Sequence, residues 1–386
     1  MKYYIIAGEA SGDLHGSNLI REIKKKDESA LIRGWGGGLM QEAGGEIVKN
    51  YRDLAFMGFT EVFRNLPTIL KNIKFCKADI LEFQPDAVIF IDYPGFNLRI
   101  AEWAHKTGLK TIYYISPQVW AWKESRVKNI RAYIDLMLVI LPFEKAFFQQ
   151  WDYETEYVGH PLVEVIERFK ASPEAQRAPV IYAGENMPIE PTLPLIACLP
   201  GSRKQEIMKK LPVMLEASRS FPELQFVVAE APGLDPEFYD LMMKDYPHAG
   251  RVRNQTYPLL RYAQAACVTS GTATLETALF GVPEVICYKG SSISYQIARR
   301  LIKVKYISLV NLIMDRPVVK ELIQDEMNPD NIVKELRKLL GDEGTRSRMR
   351  QDYAELHDLL SQGGNASEKA ASLIVEFTKN KKKKER

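Results

Sequence analysis

Short, nearly continuous apolar runs alternate with amphipathic stretches through the first half of the chain. The first run is followed by a glycine-rich turn and a predicted helix from Gly12 to Lys26. Continuous apolar strands separated by helices are typical of a parallel sheet that is covered on both faces. The pattern therefore predicts a doubly wound α/β domain. Its predicted strands are Lys2–Ala7, Ala87–Asp92, Thr111–Ser116 and Leu136–Leu141.

The alternation stops in residues 170–194, which are rich in proline and charge, and then restarts. Four more strands are predicted there: Leu195–Leu199, Gln225–Glu230, Ala266–Thr269 and Glu284–Tyr288. From Pro317 to Thr378 the pattern is helical only. We therefore predict an α/β fold of two doubly wound, Rossmann-like domains that face each other across a cleft. Ligands of such folds lie beyond the carboxyl ends of the strands.

These changes of pattern divide the chain into five predicted segments. They are a first Rossmann-like domain, a linker, a second Rossmann-like domain, C-terminal helices that pack back on the first domain, and a basic tail. Their predicted bounds are 1–168, 169–192, 193–345, 346–378 and 379–386, respectively.

Composition narrows the class of protein. Of the 386 residues, 46% are hydrophobic and 26% are charged, as in ordinary globular proteins. The four cysteines are widely spaced and match neither a disulfide framework nor a zinc site, so we expect a reducing compartment. The N-terminal apolar stretch is too short for a secretory signal, and Leu136–Phe143 is far below the roughly 20 residues of a spanning helix. A net charge of +3 is too small to indicate a nucleic-acid partner.

The first predicted strand runs into a loop of small residues, Gly8 to Gly16, that opens a helix. Small residues let backbone N–H groups approach a ligand, and a helix N-terminus favours anions. We assign Glu9, Ser11 and Gly12 to substrate binding. The glycine spacing differs from the dinucleotide fingerprint and argues against a nicotinamide cofactor. The alternative is a structural turn in which Asp13 caps the helix.

Asp92 closes a predicted strand and precedes a proline turn. At the carboxyl end of a parallel strand it would face the cleft, where it could act as a general base on a hydroxyl group. The alternative is that it caps the helix predicted to begin near Asn97. His15 and His160 are predicted in loops of the same kind, and each is either a functional or a satisfied polar residue of the cleft.

Two strand-to-helix junctions in the second half have the features of phosphate-binding loops. The first, Leu199–Arg203, is followed by Glu206, and its arginine could hold a diphosphate through paired hydrogen bonds. The second, Thr269–Glu276, is small and polar, so its backbone N–H groups suit a diphosphate. For each loop alone, a purely structural turn is the alternative.

From the second loop we assign four residues to substrate binding: Ser270, Gly271, Thr272 and Glu276. The glutamate would bind ribose hydroxyls. No Asp-x-Asp occurs in the chain, so we expect neither a metal ion nor another cofactor. The charge of a leaving diphosphate would then be met by Arg203 and helix dipoles.

Two segments combine apolar and basic residues in a way that suits a membrane surface. They are Phe56–Phe63 and Ser294–Tyr306. Either could dip into a lipid headgroup layer, and the alternative is a core-packing helix with solvated charges. The tail from Lys379 to Arg386 is basic and suits anionic lipid, and the alternative is that it has no role.

Ten motifs, in order along nearly the whole chain, resemble those of lipid A disaccharide synthases, which are glycosyltransferases of the GT-B type. SPQVWAW and LPFEKAF are long and unusual enough to make chance matching remote. The matching segments are AGEASGDLHG (Ala7–Gly16), AFMGFTEVF (Ala55–Phe63), IDYPGFN (Ile91–Asn97), ISPQVWAWKESRVKNI (Ile115–Ile130), LPFEKAFF (Leu141–Phe148), VGHPLVE (Val158–Glu164), LPGSRKQEI (Leu199–Ile207), TSGTATLE (Thr269–Glu276), SLVNLI (Ser308–Ile313) and VVKELIQDE (Val318–Glu326).

The resemblance implies a hexosyltransferase of lipid A (lipopolysaccharide) biosynthesis. It implies inverting transfer of 2,3-diacylglucosamine from its UDP derivative to 2,3-diacylglucosamine 1-phosphate, giving a β-1,6-linked disaccharide and UDP. The first domain would bind the acceptor and the second the UDP-sugar. The enzyme would lie in the cytoplasm, peripherally on the inner face of the cytoplasmic membrane, and a homodimer is left open.

The resemblance also implies roles for single residues. The essential aspartate of the family matches Asp92, the LPGSR arginine matches Arg203, the glutamate of the second loop matches Glu276, and the asparagine of SLVNL matches Asn311. GT-B enzymes often place a histidine base in the first loop. Asp92 and His15 are therefore both predicted as candidates for the catalytic base.

Two rival functions stay open from the sequence. A UDP-N-acetylglucosamine 2-epimerase would share the architecture and the donor but would need no lipid-facing surface. A catalytically inactive sugar-nucleotide sensor is the other, and the presence of both Asp92 and Arg203 argues against it.

Overall fold

The computed structural model describes residues 1–54, 66–122, 124–183, 187–189, 193–291, 295 and 304–380. They form two compact units. The first consists of Met1–Pro161 and the chain from Leu360 onward, and the second of Leu162–Leu359.

The first unit is built on a seven-stranded sheet, and its strands are parallel throughout. The central strands are buried because helices cover both faces of the sheet, which explains their uninterrupted apolar sequences. The order in the sheet is β3-β2-β1-β4-β5-β6-β7. The strands are β1 (Lys2–Ala7), β2 (Leu31–Gly36), β3 (Glu46–Asn50), β4 (Ala87–Ile91), β5 (Lys110–Tyr114), β6 (Leu136–Val139) and β7 (Glu156–Tyr157).

In the described residues of the first unit, seven helices connect these strands. One face of the sheet packs on side chains such as Leu19 and Ile23, and the other on Ile80, Ile100 and Ile130. Short 3₁₀ turns span Tyr51–Leu54 and Glu124–Arg126. The helices are α1 (Ala10–Lys26), α2 (Gly38–Glu42), α3 (Leu66–Phe83), α4 (Pro94–Lys106), α5 (Val119–Trp122), α6 (Val127–Tyr133) and α7 (Glu144–Gln149).

The second unit has an eight-stranded sheet in the order β15-β14-β13-β10-β11-β12-β8-β9. Six strands are parallel, whereas β8 runs antiparallel to β12, and β9 antiparallel to β8. The strands are β8 (Ile181–Ala183), β9 (Met187–Ile189), β10 (Leu195–Leu199), β11 (Gln225–Ala229), β12 (Gly250–Val252), β13 (Ala263–Val268), β14 (Glu284–Tyr288) and β15 (Lys320–Ile323).

Helices surround this second sheet, with 3₁₀ turns at Pro173–Gln176 and Gln324–Glu326. Both strand-to-helix junctions predicted as phosphate loops are present, after β10 and after β13. The helices are α8 (Pro161–Lys170), α9 (Lys204–Ser218), α10 (Pro236–Met243), α11 (Thr256–Tyr262), α12 (Thr272–Leu279), α13 (Leu309–Met314), α14 (Pro329–Gly341) and α15 (Glu343–Ser361).

Two features of this unit differ from the sequence predictions. The segment 169–192, predicted as a linker, contributes β8 and β9 to the edge of the sheet. Pro188 is tolerated in β9 because this outermost strand pairs with β8 on one side only. The region after Pro317, predicted as helical only, contains β15, a four-residue edge strand too short to show a clear alternation.

The predicted C-terminal helices, residues 346–378, divide between the two units. Helix α15 belongs mainly to the second unit, where the hydroxyl of Tyr353 donates to Glu284 at 3.3 Å. The last helix, α16 (Ala366–Lys379), packs in the first unit, with Ala370 and Ile374 in the core. Lys110 Nζ donates to the carbonyl of Thr378 at 2.7 Å and so satisfies the C-terminal end of α16.

None of the helices in the described part of the chain combines the length and the apolar character that a membrane crossing requires. All four cysteines, Cys76, Cys198, Cys267 and Cys287, are buried free thiols.

Candidate active site

Asp92 follows β4 directly, in a turn of unusual backbone conformation. Asp92 and Tyr93 both have left-handed backbones, with φ of 44° and 50°. A left-handed conformation costs a residue other than glycine about 1–2 kcal/mol. Surrounding bonds hold the turn, because Tyr113 Oη and Asn97 Nδ2 donate to the carbonyl of Asp92 at 2.5 and 2.7 Å. Strain of this kind concentrates at functional sites.

The first loop touches this turn through Gly8. A Cβ atom added to Gly8 would lie 2.4 Å from the ring of Tyr93. The ring also stacks on Phe96, with centroids 5.7 Å apart. A side chain at position 8 would therefore displace Tyr93 and the turn that carries Asp92.

Asp92 has the electrostatic environment of a general base. Burial raises the pKa of its carboxyl to about 6, and the nearby negative charge of Glu9 adds to the effect. A base is most effective when its pKa lies near the working pH. Asp92 would thus be ionised at neutral pH while remaining basic enough to accept a proton.

His15, the second catalytic candidate, lies within α1 and not in a loop, and it is buried. Burial lowers the pKa of its imidazole to about 4. The pKa of His160 is lowered to about 3, first by burial and then by His15. Both imidazoles are therefore neutral at pH 7. Since its pKa lies further from neutrality, His15 is the weaker base of the two candidates.

Asp13 caps a different helix from the one predicted. Helix α1 begins at Ala10, so Asp13 already lies inside it. Its Oδ1 accepts from the backbone N–H groups of Gly37 at 2.8 Å and Met40 at 3.0 Å. The alternative in which Asp13 caps α1 is therefore wrong: the side chain reaches across to the N-terminus of α2.

The predicted binding residues of the first loop lie at the start of α1. Glu9 is the half-buried residue before the helix, Ser11 is exposed in its first turn, and Gly12 is buried with its Cα facing Ala7. Glu9 raises the pKa of Asp92, so the loop and the strand end form one charged surface. That surface lies at the carboxyl ends of β1 and β4.

A cavity of about 420 Å³ lies in the second unit, next to the ends of β10, β11 and β13. It brings together the predicted phosphate loops and five predicted site residues: Arg203, Ser270, Gly271, Thr272 and Glu276. Its complete lining is Leu199, Gly201, Ser202, Arg203, Glu206, Ala229, Glu230, Ala231, Pro232, Thr256, Thr269, Ser270, Gly271, Thr272, Ala273 and Glu276. We call it the donor pocket, after the prediction from the sequence that the second domain binds the sugar donor.

Glycine is needed at one position in each loop of the donor pocket. Gly201 and Gly271 have φ of +122° and +128°, a conformation that side chains rarely adopt. Each lies just before a helix, α9 or α12, so the loops present helix N-termini to the pocket. Backbone N–H groups and the helix dipole make such ends favourable for anions.

Arg203 supplies an exposed positive charge to the donor pocket. It precedes α9, its side chain is 58% exposed, and its Nη1 lies 3.3 Å from Glu206 Oε1. An exposed ion pair of this kind is weak, typically about 0–1 kcal/mol. The guanidinium can therefore turn to a phosphate at little cost.

Glu276 is held in place by an aromatic group. Tyr257 Oη donates to its Oε1 at 2.9 Å, and the Tyr257 ring lies edge-on to Phe169 and tilted against Phe280. Burial raises the pKa of Glu276, and the bond from Tyr257 opposes that rise. The carboxylate is thus pre-oriented in the pocket wall.

Asn311 lies apart from the donor pocket. Its side chain donates to the carbonyl of Val319 at 2.9 Å and to Glu321 Oε1 at 3.0 Å, and it accepts from the N–H of Val319 at 2.9 Å. It lines a separate cavity of about 450 Å³ together with Glu284. These bonds connect α13 to β15 and to the residue before it. The assignment of Asn311 to substrate binding stays a prediction.

Sequence reasoning missed two polar groups. Glu144 is fully buried, with donors from Ser116, from Trp120 Nε1 at 3.2 Å and from the N–H of Leu141 at 2.9 Å. Burial raises its pKa to about 7. Its hydrogen bonds connect the SPQVWAW motif to the LPFEKAF motif. The unusual sequences of these two motifs were the signal from which Glu144 could have been identified. The other is Lys210, on the apolar side of α9.

Some predicted features lie outside the described residues. These are the apolar segment Phe56–Phe63, most of Ser294–Tyr306 and the last six residues of the basic tail. In the ranges that the structure does describe, no three His, Cys, Asp or Glu side chains are grouped as metal ligands would be.

Comparisons with known proteins give matches that extend over both units of the chain. The family model described as lipid-A-disaccharide synthetase matches residues 3–375. The lipid-A-disaccharide synthase of Syntrophus aciditrophicus is 39% identical over 381 residues, which are 97% of each chain. That of Trichlorobacter lovleyi is 37% identical over 376 residues, 96% of each chain.

Solved structures share the fold at low identity. UDP-GlcNAc 2-epimerase from Neisseria meningitidis, bound to UDP-GlcNAc, is similar with a TM-score of 0.65 at 12% identity, over 98% of this chain and 99% of the other. The glycosyltransferase of kitacinnamycin gives a TM-score of 0.65 at 13% identity, over 97% and 98% of the two chains. The likeness supports two Rossmann-like units of the GT-B type.

Proposed function

Because the chain belongs to the lipid-A-disaccharide synthetase family, and is thus a glycosyltransferase of lipid A disaccharide synthesis, we propose that its donor is a UDP-sugar bound in the donor pocket. The observation that carries this proposal is the convergence of Arg203 and two glycine-dependent helix N-termini on one cavity. A diphosphate has the charge and the shape that such a set of donors accommodates.

The rest of the pocket suits the nucleoside. Glu276 is half-buried and oriented by Tyr257, which supports a role in accepting hydrogen bonds from ribose hydroxyls. An acceptor group fixed in advance loses little entropy when a ligand binds. We therefore assign the diphosphate to Arg203 and the two loops, and the ribose to Glu276.

For the acceptor we propose 2,3-diacylglucosamine 1-phosphate, with 2,3-diacylglucosamine as the transferred sugar. Asp92 takes the proton of the acceptor hydroxyl while the oxygen of that hydroxyl forms a bond to C1 of the donor sugar. The bond from C1 to UDP breaks, and its electron pair goes to the diphosphate, where Arg203 and the helix dipoles stabilise the charge. A single displacement of this kind inverts C1 and gives the β-linked product.

Peripheral contact with the inner face of the cytoplasmic membrane is part of the same proposal. Its support is chemical, because both substrates carry acyl chains, and the chain ends in the basic sequence KNKKKKER. We also propose that the chain assembles into a homodimer, which is compatible with this function.

The test is a product assay with UDP-2,3-diacylglucosamine and 2,3-diacylglucosamine 1-phosphate. We expect one UDP and one β-1,6-linked disaccharide 1-phosphate for each turnover, quantified by mass spectrometry. A sugar product epimerised at C2, with no disaccharide, would instead indicate the epimerase alternative, and an unchanged UDP-sugar would indicate a sensor. Calorimetry with UDP alone tests the donor pocket separately from the chemistry.

A further inference from the structure

Lys210 is a buried lysine beside the donor pocket for which the mechanism above has no role. It lies on α9, and its side chain is only 3% exposed. Its ammonium donates to the hydroxyl of Thr269, the first residue of the second phosphate loop. It also lies 3.6 Å from Glu206 Oε2. A buried ammonium is costly unless a carboxylate and hydrogen-bond acceptors compensate it, and Lys210 has both.

Glu206 is shared between two cations of very different exposure. One carboxylate oxygen faces the buried Lys210, and the other lies 3.3 Å from Arg203, whose side chain is 58% exposed. Interactions of exposed charges are screened by water and salt, whereas those of buried charges are screened much less. Glu206 is therefore bound more strongly by Lys210 than by Arg203.

This arrangement affects the availability of Arg203. A carboxylate next to the arginine competes with any anionic ligand for the guanidinium. When Lys210 neutralises that carboxylate, the competition weakens and Arg203 can turn to a phosphate. Burial lowers the pKa of Lys210 while Glu206 opposes that change, as expected of a cation kept charged by its partner.

We infer that Lys210 is a positioning residue of the donor pocket: its buried ammonium holds Glu206 and Thr269, so that Arg203 is released to the diphosphate of the donor. The inference rests on the proposed function, since it takes the pocket to bind a UDP-sugar. Lys210 extends from the helix after the first phosphate loop to the first residue of the second, and so it also couples the two loops.

A double-mutant cycle with the full chain tests this inference. UDP binding is measured by calorimetry for K210M, E206Q and K210M/E206Q, with K209M as the matched control, because Lys209 is the exposed neighbour on the same helix. We expect K210M to weaken UDP binding about tenfold, since Glu206 then competes for Arg203. Adding E206Q should restore affinity to within about threefold of wild type. K209M should change it less than about twofold.

Steady-state kinetics give a second readout. In K210M we expect the KM for the donor to rise about tenfold while kcat changes by less than about threefold. The variant would lose binding energy that is common to the bound substrate and the transition state, and the chemical step would be unaffected. A merely structural role of Lys210 predicts no rescue by E206Q. If the double variant binds UDP as weakly as K210M, the inference is wrong.

Two further measurements keep the outcomes distinct. If thermal unfolding shows that K210M does not fold, the E206Q variant alone tests the inference. E206Q should bind UDP at least as tightly as wild type, and weaker binding would overturn the inference. R203A separates the two proposals. If R203A leaves UDP affinity unchanged, the proposed diphosphate site fails and the inference with it. If R203A weakens binding and K210M does not, only the inference fails.

Discussion

The hydroxyl of Tyr257 donates a hydrogen bond of 2.9 Å to Oε1 of Glu276, at the wall of the donor pocket. The tyrosine is itself fixed by aromatic contacts, with ring centroids 5.4 Å from Phe169 and 5.2 Å from Phe280. The orientation of the carboxylate is therefore determined by three aromatic residues that lie outside the pocket lining.

Removal of that hydroxyl should weaken UDP binding without disturbing the ring packing. For Y257F we expect a loss of about three- to tenfold in UDP affinity, as for one hydrogen bond of about 0.5–1.5 kcal/mol. Calorimetry measures it, with Y262F as a control at a 41% exposed tyrosine that is not part of the pocket lining. Equal affinities for Y257F and wild type would show that Glu276 needs no such orientation.

Replacement of the proposed base should abolish transfer while UDP binding persists. For D92N we expect disaccharide formation to fall about 100- to 10,000-fold, the usual cost of losing a general base. UDP affinity should stay within about twofold of wild type, because the donor pocket is in the other unit. A variant that kept more than about a tenth of wild-type turnover would make His15 the better candidate, to be tested with H15Q.

The pH dependence of the reaction follows from the raised pKa of Asp92. Its carboxyl must be ionised to accept a proton, and burial places its pKa at about 6. Activity should therefore be full above this value and fall about tenfold per pH unit below it. The measurement is kcat/KM between about pH 3.5 and 8. An acid limb near pH 4, the pKa of His15, would point to the histidine instead.

Arg203 should matter more to UDP binding than Glu276. R203A removes a charged, bidentate donor to the diphosphate and should cost one to two decades in affinity, since such bonds are worth about 1.5–3 kcal/mol. E276Q should cost less, because an amide oxygen still accepts one ribose hydroxyl bond. Calorimetry of both variants checks the order. The reverse order would mean that ribose recognition dominates.

A methyl group on Gly8 should impair catalysis through Tyr93. The added Cβ would lie 2.4 Å from the Tyr93 ring, so the turn that carries Asp92 must shift. For G8A we expect kcat to fall at least about tenfold, since small misplacements of catalytic groups are costly, with UDP affinity unchanged. G38A is the matched control, because a Cβ there meets nothing within 4 Å. Equal effects of the two substitutions on kcat would contradict this coupling.

Local signals in the sequence determined most of the scaffold. Apolar runs of strand length predicted eight of the parallel strands, because period and turn chemistry are properties of neighbouring residues. These are β1, β4, β5, β6, β10, β11, β13 and β14, whereas β2, β3, β7 and β12 were not predicted. The LPGSR and TSGT loops were predicted on the same grounds, and the structure brings them together in one pocket. The family motifs implied the same predicted roles for Asp92 and Arg203 and added one for Asn311, which no local pattern specifies.

Tertiary structure decided the relations between residues far apart in sequence. Asp13 caps α2 and not its own helix, the supposed linker supplies β8 and β9 at one side of the sheet, and Lys210 reaches Thr269, 59 positions away. Each depends on which helix faces which loop after the sheet is assembled, and a buried polar group takes whatever partner that packing offers. A lysine on the apolar side of a helix looks in sequence like a solvated charge. Only its neighbours in the folded protein show that it is buried and paired with Glu206.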